Sequence, residues 1–127
     1  MAHIRISEAE WLVMLLLWEK SPRTAAEICG ALTQERPGSE KTVRTYINRL
    51  VEKGALRCET SGKEYRFSPS VNRDECVHEE SKNFLTRVFR GMTLPLLAHF
   101  IESSELTEAD IAELKRIVAS KESQLYE

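Results

Sequence analysis

The stretch SEKTVRTYINRL, Ser39 to Leu50, decides how the chain is read. At about 100° per residue it puts Val43, Ile47 and Leu50, with Val51 beyond, on one side of a helix. Lys41, Thr45, Asn48 and Arg49 fall on the other side, with Thr42 and Arg44 on the flanks. An ordinary solvated helix pairs its cations with glutamates one turn away. Here Glu40 and Glu52 lie only near the two ends, and the cations are expected to stand among hydroxyls and an amide. Such donors grip phosphates and read base edges in a DNA major groove. The plain alternative is a solvated face that keeps the protein soluble, and the flanking sequence tells against it.

Ser39 is placed to cap this helix, and Gly54 to end it after Lys53. Upstream, Ser7-Glu8-Ala9-Glu10 is a capping box. It opens a helix that buries Trp11, Val13, Met14, Leu15, Leu17 and Trp18 and stops near Lys20, ahead of Pro22. Thr24 to Glu27 is a second capping box, for a short helix with Ile28, Cys29 and Leu32 inward; Arg36-Pro37-Gly38 then breaks the chain. Downstream, Ala55–Thr60 and Lys63–Phe67 flank Ser61-Gly62 and predict a β-hairpin. Three helices followed by a hairpin make a winged helix-turn-helix, in which the third helix is the one that enters the groove. Arg57, Lys63 and Arg66 would let the wing touch the DNA backbone.

Ser68-Pro69-Ser70 reads as a domain edge, dividing residues 1–70 from 71–127. Beyond it the pattern is helical only: Asp74 to Phe89, an interruption at Gly91, Thr93 to Ser103, and a last helix opened by Thr107-Glu108-Ala109-Asp110. The fold class is therefore mainly α, a winged helix-turn-helix N-terminal domain plus a three-helix C-terminal dimerisation domain. So short a helical segment buries little apolar surface alone. Its helices could fold back on their own N-terminal domain. A symmetric homodimer is the stronger expectation, because two recognition helices read two half-sites. The residues expected at that interface are Phe84, Val88, Leu97, Phe100, Ile101, Ile111, Leu114 and Val118.

Net charge is −2, which does not by itself suggest nucleic acid. Its distribution does: residues 1–70 carry +2, residues 71–127 carry −4, and Arg36–Arg66 carry +4. The longest apolar run, Trp11 to Trp18, falls far short of the ~20 residues that span a bilayer. MAHIRIS has no apolar signal region, so a cytoplasmic protein without membrane insertion is expected. Three dispersed cysteines fit a reducing compartment. No CxxC or HxxxH appears and His3, His78 and His99 are scattered, so no metal or cofactor is expected. Ser81 and Ser123 have no identifiable triad partners and no glycine-rich phosphate loop exists, so no enzyme is expected.

The stretches ISEAEWLVMLLLWEKSPRTAAEI, SEKTVRTYINRLVEKGAL and SKNFLTRVFRGM, in that order, resemble the bacterial penicillinase and methicillin-resistance repressor family, which also holds copper-responsive repressors. The resemblance covers nearly the whole chain. It implies a dimeric repressor on a TACA/TGTA-like palindromic operator of double-stranded DNA, controlling β-lactam resistance or stress and metal-response genes. Lys41, Thr42, Arg44, Thr45 and Arg49 match the family's recognition-helix motif, while Asn48 stands at a variable position of it. Two features depart from the family. The copper branch ends in four cysteines, and this chain ends KESQLYE. In the antibiotic branch a membrane sensor protease cuts an Asn-Phe bond, where this chain has His99-Phe100.

Two other readings fit the same residues. A winged domain can bind protein instead of DNA; such a face should show exposed aromatics, and on Ser39–Lys53 only Tyr46 could serve. Cys58, in the wing near Arg57 and Lys63, could act as a thiol sensor, although an inert strand cysteine is the plainer reading.

Overall fold

Five of the six helices among the described residues begin where a side chain caps them, at Ser7, Thr24, Ser39, Asn72 and Thr107. The computed structural model describes residues 4–35 and 39–126. In order these form α1 (Glu8–Glu19), β1 (Arg23–Thr24), α2 (Ala25–Glu35), α3 (Glu40–Lys53), β2 (Leu56–Ser61), β3 (Glu64–Pro69), α4 (Arg73–Phe89), α5 (Thr93–Ser103) and α6 (Glu108–Leu125). Ser7 accepts from the Glu10 N–H at 3.2 Å, and Glu10 accepts from the Ser7 N–H at 2.8 Å. Thr24 with Glu27 and Thr107 with Asp110 repeat this reciprocal box. Ser39 caps α3 by accepting from the Thr42 N–H at 3.2 Å. Gly54 ends α3 at φ 84°, a left-handed conformation that costs glycine little. The expected break at Arg36-Pro37-Gly38 lies outside the described residues.

The hairpin forms with its turn one residue later than expected. Ser61 pairs with Glu64, so Gly62 and Lys63 are the turn residues, and Gly62 has φ 67°. A third strand, β1, joins the hairpin, although two residues carry no strand pattern. β1 pairs antiparallel with β3, Arg23 opposite Phe67 and Thr24 opposite Arg66, giving the order β1-β3-β2. It ties the segment between α1 and α2 to the wing.

The core of this unit joins all three helices and the sheet. Val13, Met14 and Leu17 meet Ile28, Cys29 and Leu32, then Val43, Ile47 and Leu50, with Ala55, Leu56 and Phe67 closing it. Leu15 departs from its expected burial: it is 44% exposed, because α1 is apolar all round and one side must face outward. Trp11 and Trp18 pack on the core, rings 5.6 Å apart, and the Trp18 indole N–H donates to the Val71 carbonyl at 3.2 Å. Glu10 is buried too. Its carboxylate accepts from the Lys53 ammonium, which also donates to the Arg5 carbonyl at 2.8 Å. Burial pushes the Glu10 carboxyl up, but Lys53 and Ser7 together outweigh it and hold the group below its ordinary value of 4.5. The pair ties α1 to the end of α3.

Contacts divide the chain into Met1–His78 and Glu79–Glu127, a boundary inside α4. In the second unit Phe84 and Phe89 rings lie 6.1 Å apart, and Phe89 meets His99 of α5 at 6.5 Å. Arg90 and Gly91, at φ 52° and 82°, turn the chain between α4 and α5. No residue of α4, α5 or α6 is buried. No helix among the described residues is long and apolar enough to cross a membrane.

Candidate nucleic-acid interface

The exposed side of α3 is the most cationic helical surface of the first unit, and its orientation follows from the buried side. Val43, Ile47 and Leu50 are sunk in the core, which leaves Lys41, Thr42, Arg44, Asn48 and Arg49 exposed and Thr45 half-buried. Thr45 donates its hydroxyl back to the Lys41 carbonyl at 3.0 Å, which fixes its rotamer. The Thr42 hydroxyl is shared with that of Ser39, 2.7 Å away.

The cations differ in how free they are. Lys41 and Arg49 make no ion pair among the described residues. Arg44 does, against the expectation that these cations stand apart from acids: Nε and Nη2 donate to Glu40 Oε1 at 3.2 and 2.9 Å. That hydrogen bond lifts the Arg44 guanidinium above its ordinary value, so it stays charged at any working pH.

The wing repeats the contrast. Arg57 donates to Glu59 at 3.2 Å and to the Pro69 carbonyl at 3.1 Å. Arg66 pairs with Glu64 at 3.4 Å and faces the α2 start, where it helps hold Glu27 low after the larger effect of the Thr24 hydrogen bonds. Exposed pairs of this kind contribute little and can be displaced by a phosphate. Lys63, at the turn, has no ion pair among the described residues. The aromatic expectation is also revised. Tyr46 packs against the core, whereas Tyr65, opposite Thr60 on the wing, is 61% exposed. Tyr65 shares a sheet face with Phe67 but lies past the end of the core, a distinction that alternation alone does not give.

Cys29 and Cys76 have thiols pushed up by burial, which leaves them poor nucleophiles at neutral pH. Cys58 is exposed on β2. Among the described residues no group of three or more His, Cys, Asp or Glu side chains is arranged to hold a metal. His99 and Phe100 are exposed in the middle of α5, with the His99 carbonyl accepting from the Ser103 hydroxyl at 2.6 Å.

The match to known proteins follows this geometry. The chain is 34% identical over 116 residues to the methicillin resistance regulatory protein MecI of Mammaliicoccus sciuri, covering 91% of this chain and 94% of that one. It is 28% identical over 123 residues to the penicillinase repressor of Bacillus licheniformis, covering 97% and 96%. Its fold matches a solution structure of the DNA-binding domain of the repressor BlaI, with TM-score 0.53, 32% identity and coverage of 59% of this chain and 93% of that one. It matches equally a solution structure of monomeric B. licheniformis BlaI in complex with the blaP half-operator, with TM-score 0.52 and 32% identity. The penicillinase repressor family model spans residues 6–120, and the chain belongs to that family.

Proposed function

We propose that this protein is a DNA-binding transcriptional repressor that reads a palindromic operator as a homodimer, in the control of β-lactam resistance genes. The observation that carries the reading is the solvent-facing side of α3, with Lys41, Asn48 and Arg49 open to solvent, in a domain that resembles one solved on a half-operator. Lys41, Thr42, Arg44, Thr45, Asn48 and Arg49 contact the groove. Lys63, and Arg57 and Arg66 once they exchange their glutamates for phosphates, contact the backbone. The apolar sides of α4, α5 and α6 form the dimer, which works in the cytoplasm. In this chain His99-Phe100 lies within a helix, so a membrane sensor protease could reach that bond only after α5 opens locally.

The test is an anisotropy titration on a duplex selected by the protein from a random pool. Arg49→Ala weakens binding at least ~tenfold with an unchanged melting curve. Lys63→Ala weakens binding to every sequence alike and reduces the salt slope by up to ~1. Unaltered affinity in Arg49→Ala discards α3 as the reading helix.

A further inference from the structure

Glu40 stands at the first position of α3 and holds Arg44 by one side only. A guanidinium carries five N–H donors in a fixed fork. The Nε and Nη2 side goes to one oxygen of Glu40, at 3.2 and 2.9 Å. Nη1 has no acceptor among the described residues, and with the second N–H of Nη2 it leaves an edge that can meet O6 and N7 of a guanine in the major groove. The two side chains are 50% and 60% exposed, so the pair belongs to the outer surface of the helix and not to the core. A glutamate in a first turn is favoured by the helix dipole whatever its neighbours do. The dipole does not account for its grip on an arginine at the flank of the candidate reading surface. A carboxylate there also repels backbone phosphates, which works against tight binding unless base reading compensates.

We infer that Glu40 determines specificity: it fixes Arg44 by one edge, leaves the other for a base with two adjacent acceptors, and stops the first turn of α3 from clamping phosphates indiscriminately. This rests on reading α3 as the DNA-reading helix.

The test uses the full chain, a duplex that the wild-type protein selects from a random pool, and a shuffled duplex of the same composition, titrated across salt. In Glu40→Ala, binding to the shuffled duplex tightens several-fold and its salt slope steepens by up to ~1. Binding to the selected duplex is unchanged or weaker, so the preference falls by roughly tenfold. Glu40→Gln loses the charge but keeps an oxygen for Nε and Nη2; it tightens on shuffled DNA as the alanine variant does, yet retains more of the preference. In an Arg44→Ala background, Glu40→Ala no longer lowers the preference. Equal fold-changes on both duplexes in Glu40→Ala, with the wild-type preference intact, overturn the role of Glu40 alone. A wild-type protein that selects no sequence overturns the reading of α3 and the role of Glu40 with it.

Discussion

The two units of the chain use the same kind of helix and end in opposite states. Every buried side chain among the described residues lies at or before Ser68. Among the described residues fourteen large apolar side chains are substantially exposed, and twelve of them lie from Val77 onward, so the exposure is concentrated and not scattered. In the first unit the stripes of α1, α2 and α3 face one another over Met14, Leu17, Ile28, Ile47 and Leu50. In α4, α5 and α6 comparable stripes, through Leu97, Phe100, Ile101, Ile111 and Val118, remain open. Exposed apolar side chains concentrated in this way support the proposed dimer. A hydrophobic period therefore specifies that a face must be covered, and only the count of nearby faces decides whether the same chain can cover it.

That contrast can be broken most sharply in the core. Ile47→Ala leaves a cavity between α3 and its neighbours and costs about 2–5 kcal/mol, read as a lower midpoint in urea. Phe100→Ala causes no comparable loss in the melting of the first unit; a loss of the same size there would erase the distinction. Leu97→Asp puts a charge on the open face of α5. It raises the dimer dissociation constant at least ~tenfold in sedimentation at micromolar protein, with the circular dichroism of the winged unit preserved. A sedimentation profile unaltered by this change removes α5 from the interface.

Smaller effects sharpen the account of the first unit. Lys53→Met leaves the buried Glu10 without its cation and costs about 1–3 kcal/mol. The sign of the pH dependence follows from the lowered Glu10 value. Its contribution is full above the ordinary 4.5 and is lost as pH falls through the lower value held in the fold. Acid titration should show wild type losing stability in that window, and Glu10→Gln lacking that part of the slope. Least of all, Arg90→Gly relieves a left-handed residue between α4 and α5 and gains up to ~1 kcal/mol. No gain in the thermal melt would mean that Arg90 has compensating contacts.

Helix starts were legible in the sequence because a cap is local. Ser7, Thr24, Ser39 and Thr107 each bond within three residues, so spacing suffices. The inward side of α3 was legible because its polar and apolar residues separate cleanly. β1 was not, since two residues have no period and Arg23-Thr24 become a strand only by meeting Arg66 and Phe67. Leu15 failed for the opposite reason: α1 is apolar on all sides, and tertiary packing alone chooses which one faces water. The Glu40 and Arg44 spacing of four residues was visible, but whether they pair depends on rotamers that compete with other partners. The exposure of Tyr65 depends on where the core ends along the wing.

Hydroxyl-radical footprinting of the selected duplex tests the central claim most directly, because it reports both helices at once. A dimer with outward-facing α3 helices gives two symmetric protected segments on one side of the DNA, one helical turn of about 10 base pairs, or a multiple of it, apart. A single protected segment, or even protection along the duplex, would contradict it.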